Sequence, residues 1–251
     1  MPAPMAPNGA FMTRTRRYAE VEALLGERPC ARCQGVGIAP LPEDGGPRRY
    51  ARCRCQRPLD QARAFNAALI PRTYSSFTLE NWLVSDAGQA HVRQVAERWV
   101  TEVEQATELH RVPFLVLTGG PGVGKTHLAV ALLRRLILDG KRPGLPMSAR
   151  FLEPSVLAQG FKNGEALHLQ DRLAADLVVL DDVVAPRTDF ERAVIDELIS
   201  RRYRTGGPCI VTTTLSAQEF GETLGARIAS RLFEGRLTWV AGRDRRMGMT
   251  A

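Results

Sequence analysis

Two periods of apolar residues alternate along this chain. From 58 to 69, Leu59, Ala62, Phe65, Ala68 and Leu69 share one helical face, and Ile70-Pro71 ends the pattern. Between Asp86 and His110, Val92, Val95, Trp99, Val103 and Ala106 recur every three or four residues. Each stretch predicts an amphipathic helix. Short apolar runs follow at Pro113–Thr118, Ser148–Leu152, Asp176–Asp182, Pro208–Thr214 and Arg236–Val240. Runs of this kind read as strands buried on both faces, as in a parallel sheet. Helical patterns separate them: Leu128 to Gly140, 166–173, Phe190–Tyr203 with Val194, Ile195, Leu198 and Ile199 inward, and a single helix containing Arg227–Leu232. The alternation predicts an α/β fold, a five-stranded parallel sheet flanked by helices. Trp82 and Trp99 are expected as core anchors, and Cys209 as a buried strand residue.

Composition shifts divide the chain. Residues 1–28 open with a Pro/Ala/Gly-rich tail, followed by an arginine-bearing stretch from Thr13 to Leu25 that is compatible with a short helix. This part is expected to be flexible. Residues 29–57 carry four of the five cysteines, 58–85 read as a linker helix with a connecting segment, and 86–251 hold the α/β domain. The beginning of the chain has no apolar signal core, and no run reaches the ~18 apolar residues of a membrane helix, so a cytoplasmic protein without membrane attachment is expected. A net charge of +7 permits contact with nucleic acid without requiring it. Arg201, Arg202 and Arg204, at the end of the predicted 190–203 helix, suit the helix dipole or a phosphate contact.

The first chemical motif is Gly119-Gly120-Pro121-Gly122-Val123-Gly124-Lys125-Thr126, set between a predicted strand and a predicted helix. That context makes G-x-x-x-x-G-K-[ST] a phosphate loop. Its backbone N–H groups and the helix N-terminus attract phosphate. Lys125 can reach the β- and γ-phosphates, and the Thr126 hydroxyl can ligate Mg²⁺. Residues 119–127, including His127, are therefore the expected nucleotide-binding set. Downstream, Leu177-Val178-Val179-Leu180-Asp181-Asp182 has the form of a Walker B strand. Asp181 is expected to hold Mg²⁺, and Asp182 to orient or deprotonate the attacking water.

The second motif is Cys30-Ala31-Arg32-Cys33 with Cys53-Arg54-Cys55. Two short cysteine turns can supply the tetrahedral thiolates of a structural zinc site. A redox dithiol and unliganded cysteines are the alternatives. The Pro/Gly-rich insert at 40–47 cannot form a core, so metal would hold this segment together.

Taken together, these motifs resemble the AAA+ P-loop ATPases of the DnaC/DnaI helicase-loader and IstB transposition-helper group. The resemblance is carried by GGPGVGKTHLA at 119–129, LVVLDD at 177–182, TTTLS at 212–216, RIASRLFEG at 227–235 and GRDRR at 242–246. CARCQGVG, YARCRC and IPRTYSSFTLENW extend it on the DnaI-like side. It implies an AAA+ domain with little or no helical lid and a small amino-terminal zinc domain. It implies ATP and Mg²⁺, with hydrolysis that is slow or stimulated by a partner or DNA, because Asp182 stands where most relatives have glutamate. It implies loading of a replicative DNA helicase onto single-stranded DNA, and self-association through nucleotide at subunit interfaces. By the same resemblance Thr214 falls at the sensor-1 position, usually asparagine. Arg231 matches the arginine finger that acts on a neighbour's ATP, and Arg246 (or Arg245) matches the sensor-2 arginine. A transposition helper that recruits a transposase, and a zinc adaptor with a nucleotide switch of negligible turnover, are the competing readings.

Overall fold

The computed structural model describes residues 30–34, 36–42, 48–140, 146–164 and 169–245. The helix expected within 13–25 and the candidate Arg246 lie outside the described residues. Among the described residues the first element is a small antiparallel hairpin, β1 (Ile38–Pro40) with β2 (Tyr50–Arg52). Helix α1 (Arg57–Ala67) follows directly on a 3₁₀ turn (Arg54–Gln56), and the long helix α2 (Ala87–Gln105) comes next. The Asp86 carboxylate accepts from the Gln89 N–H and so caps α2.

The remaining elements alternate as the apolar pattern requires: β3 (Leu115–Thr118), α3 (Lys125–Arg134), β4 (Ala149–Leu152), α4 (Pro154–Lys162), α5 (Leu169–Leu173), β5 (Leu177–Val183), α6 (Asp189–Thr205), β6 (Cys209–Thr213), α7 (Ala217–Leu224), α8 (Ala226–Phe233) and β7 (Arg236–Trp239). The five later strands form one parallel sheet in the order β4-β5-β6-β3-β7. Strand β6 therefore stands between the strand that leads into the phosphate loop and the strand that carries Asp181 and Asp182.

Successive strand residues point to opposite faces, and each face has its own core. Leu115, Leu117, Val179 and Ile210 pack with α1, α2 and α3. Val116, Val178, Leu180 and Val211 pack with α4, α6, α7 and α8. Both faces being apolar is what makes the strand sequences read as unbroken runs.

Four features differ from the sequence expectations. The segment 58–85, expected as a linker helix with a connecting segment, packs into the main core. Phe65, Ala68 and Trp82 belong to the same core as β3 and α3, and the Phe151 N–H donates to the Ala68 carbonyl at 2.7 Å. The last turn of the phosphate-loop helix widens to a π-helix at Arg135–Asp139, where Gln61 and Arg57 on α1 donate to the Leu138 and Gly140 carbonyls. The helix expected around 227–232 is two helices, broken at Gly225 with φ +89°. Finally, Arg202 is no surface cation. It is 3% exposed and donates to the carbonyls of Leu173, Ala175, Asp176 and Pro208. Burial lowers its pKa, and the four carbonyls collect where α5, α6 and the start of β6 converge. An arginine fork can satisfy several carbonyls at once, which a lysine cannot do in fixed geometry.

Candidate functional site

The phosphate loop sits at the carboxyl end of β3 and opens into α3. Gly124, with φ +102°, caps the helix start, and a Cβ there would come within 2.9 Å of the Trp82 indole nitrogen. That nitrogen donates to the Gly124 carbonyl at 3.1 Å. Gly122, with φ +68°, has no room for a Cβ because the Asp244 carboxylate lies against it, and its carbonyl accepts from the Arg245 N–H at 3.1 Å. Lys125, 8% exposed, donates through Nζ to the Gly119 and Gly120 carbonyls at 2.9 and 2.6 Å. Its ammonium thus lies inside the loop formed by Gly119, Gly120, Pro121, Gly122, Val123 and Gly124, where an anion would be bound.

Thr126 and Asp181 are 55 residues apart in sequence and adjacent in space. The Thr126 hydroxyl donates to the Asp181 carboxylate at 2.9 Å. Burial raises the Asp181 pKa above the usual carboxylate range, against the opposing hydrogen bonds from Thr212 and Thr126. A buried carboxylate beside a hydroxyl is a donor set that suits Mg²⁺, which demands oxygen ligands. These two residues would hold the ion.

A bulge in β5 shapes the rest. The pairing with β6 shifts between Leu180 and Val183, and Asp182 adopts φ +56°. Asp tolerates this left-handed conformation better than most side chains. The threonines ending β6 satisfy the groups involved. Thr212 accepts from the Asp182 N–H at 2.9 Å and donates to Asp181 at 2.6 Å, while Thr213 donates to the Val183 carbonyl at 2.6 Å. Of the threonines at 212–214, the one whose hydroxyl meets the Walker B carboxylate is Thr212, which shares that carboxylate with the Thr126 hydroxyl. Thr214, the sequence candidate for the sensor-1 position, is exposed just beyond the strand, and Asp182 is also exposed.

Residues 74–82 clamp the phosphate-loop helix. Phe77 stacks on His127 with ring centroids 4.2 Å apart, and His127 Nε2 lies 3.0 Å from the Thr78 carbonyl and 2.8 Å from Asn81 Oδ1. The His127 ring is engaged there, and burial lowers its pKa. Arg134 donates to the Ser75 carbonyl at 2.7 Å. Arg245 closes the other side, donating to Leu83 O at 2.6 Å and Gln89 Oε1 at 2.9 Å, with its guanidinium 5.3 Å from the Trp82 ring centre. Reasoning from the sequence missed this clamp. Its signal was the reciprocal Thr78/Asn81 turn beside two aromatics, in which each side chain bonds the other's N–H.

Arg231 lies elsewhere. It projects from α8 into a cleft of about 360 Å³ lined by His110, Phe114, Tyr203, Gly206, Glu234 and Gly235, among others. Several of these residues immediately precede β3, β6 and β7, so the cleft is at the amino edge of the sheet, opposite Lys125. The Arg231 guanidinium donates to Ser200 Oγ and sits 5.3 Å from the Tyr203 ring centre, while Tyr203 donates to Glu234 at 2.6 Å.

The four amino-terminal cysteines converge. Their sulfurs lie within 4.8 Å of one another, with Cys30–Cys53 at 3.8 Å and Cys33–Cys55 at 3.5 Å. Four thiolates at ~2.3 Å from a tetrahedral zinc stand about 3.8 Å apart, so the set fits the ion. Backbone N–H groups of Cys33 and Arg32 lower the Cys30 pKa to about 7, favouring a thiolate there. Burial leads the rise of Cys55 to about 12, which a bound dication would reverse. Cys209 is also raised to about 12 by complete burial and is a core residue.

Comparison with known proteins agrees with this geometry. The replicative helicase loader DnaC of Escherichia coli K12 is 28% identical over 202 residues, covering 79% of this chain and 80% of the relative. A crystal structure of the DnaC helicase loader superposes with a TM-score of 0.58 at 24% identity, covering 68% of this chain and 99% of that one. A DnaI structure gives 0.57 at 21% identity, covering 70% and 94%. These likenesses identify the fold as AAA+. The profile of the IstB-like ATP binding proteins matches residues 59–241, from helix α1 through the segment after β7. This chain belongs to the IstB-like ATP binding protein family.

Proposed function

We propose that this chain is an ATP-dependent loader of the replicative DNA helicase onto single-stranded DNA. The observation that carries the reading is the similarity to the helicase loader DnaC over about four-fifths of both chains, spanning the site where Lys125, Thr126 and Asp181 converge. In this reading the loop N–H groups and Lys125 bind the ATP phosphates, and Thr126 and Asp181 hold Mg²⁺. Cys30, Cys33, Cys53 and Cys55 hold zinc, and the zinc-bearing hairpin contacts the helicase. Arg231 acts on ATP of a neighbouring subunit; its place on the sheet edge opposite its own phosphate loop supports action in trans. Thr214, Arg245 and Arg246 are the remaining candidates for sensing the γ-phosphate. The net positive charge supports contact with single-stranded DNA.

The test is transfer of the replicative helicase onto single-stranded DNA coated with single-strand binding protein, read as unwinding of a labelled fork. Intact protein with ATP should stimulate unwinding, and Lys125→Ala should not. No stimulation in any nucleotide state, with binding to a transposase instead, would overturn the reading.

A further inference from the structure

Strand β4 pairs with β5 in a register that ends at Leu152↔Leu180. Glu153, still in extended conformation, directly follows β4, and Asp181 directly follows Leu180, so both lie at the carboxyl edge of the sheet. Glu153 occupies the N-cap of α4, a place that favours Ser, Thr, Asp or Asn, and its side chain makes no cap hydrogen bond. It is half-buried, and its carboxylate is close enough to Asp181 and Asp182 that both raise its pKa, adding to the larger effect of burial. A half-buried carboxylate held beside two others, without a cap bond in return, is electrostatically unfavourable for the fold alone.

Asp182 gives a second reason. In the superfamily resemblance it holds the place of a glutamate that handles the attacking water. Here its backbone turns left-handed at the β5 bulge, its N–H is tied to Thr212, and its shorter side chain is exposed. Glu153 brings the missing methylene from the neighbouring strand to the same edge.

We propose that Glu153 is a further catalytic carboxylate of the nucleotide site, positioning the water that attacks the γ-phosphate. This rests on the reading of the chain as an ATP hydrolase. The water oxygen forms the new bond to the γ-phosphorus as the bond from that phosphorus to the β,γ-bridging oxygen breaks. The electron pair of that bond remains on ADP, and the water proton passes to the Glu153 carboxylate and on to solvent. Lys125 and the Mg²⁺ ligands keep their binding roles.

The experiment compares full-length wild type, Glu153→Gln and Asp182→Asn. Phosphate release is measured with helicase and single-stranded DNA present, and affinity for a fluorescent ATP analogue is measured with and without Mg²⁺. Glu153→Gln should lower kcat about 100-fold, more than Asp182→Asn does, with KM and Mg²⁺-dependent affinity within twofold. Without Mg²⁺ its affinity should rise severalfold, because one of three carboxylates repelling the phosphates has been neutralised. That rise is a readout a merely structural residue would not give. Turnover by Glu153→Gln within twofold of wild type, or a loss that tracks a fall in Tm, overturns the proposal while leaving the ATPase reading standing. Wild type that binds Mg-ATP and releases no phosphate overturns the ATPase reading, and Glu153 falls with it.

Discussion

The cysteine hairpin and the ATPase sheet differ in how much core each buries. The hairpin has two three-residue strands and, among the described residues, a core cluster of Cys33, Ala39 and Cys53, with Cys30 and Cys55 packed against it. Val36, Ile38 and Tyr50 are exposed around it. The sheet has a packed core on each face, with β5 and β6 almost entirely buried. So small a segment cannot offset its chain entropy by burial, and metal–thiolate bonds are the available substitute. In the proposed reading one region depends on an ion and the other on apolar area, and they meet at helix α1. There Arg52 on β2 bonds to Asp60, and Arg57 and Gln61 bond to the end of the phosphate-loop helix.

The strongest way to break that contrast is to remove the metal. Purified protein should carry about one zinc per chain. A strong chelator, or Cys30→Ser with Cys33→Ser, should unfold residues 30–56, since structural zinc contributes on the order of 10 kcal/mol to such segments. Limited proteolysis should then cut the hairpin, while the main thermal transition survives. Next comes Arg202→Ala, which orphans four carbonyls in the other region. It should destabilise the ATPase core by about 3–4 kcal/mol, lowering Tm by about 10 °C, with zinc content unchanged. Lys125→Ala should weaken ATP binding about 30-fold or more, the equivalent of losing a charge-assisted contact, again without loss of zinc. The smallest effect is expected from Trp82→Phe. It keeps most of the buried ring but loses the hydrogen bond to Gly124, costing about 1 kcal/mol and a few-fold in ATP affinity.

The parts legible in the sequence were those encoded by neighbours. The phosphate loop, the apolar strand ending at Asp181 and the paired cysteines are short-range patterns. Each requires only local geometry, and the structure brings Thr126 to Asp181 and the four sulfurs to one another. The parts not legible depend on long-range contacts. Nothing near Trp82 in the sequence points to Gly124, 42 residues away. An arginine among Arg201 and Arg204 looks like surface charge until the carbonyls around Leu173 and Pro208 are assembled about it. The β5 bulge decides which threonine meets Asp181. A run of three threonines at 212–214 cannot announce its register with a strand whose pairing shifts at Leu180.

The most direct test of the division between the two regions is size-exclusion chromatography of this protein with the host's replicative helicase in ATP. Wild type and the Cys30→Ser/Cys33→Ser variant should be compared, each checked first for ATP binding. If the zinc-held hairpin grips the helicase and the sheet handles nucleotide, the variant binds ATP as wild type does and forms no helicase complex. A variant that has lost its zinc and still co-elutes with the helicase would contradict the account.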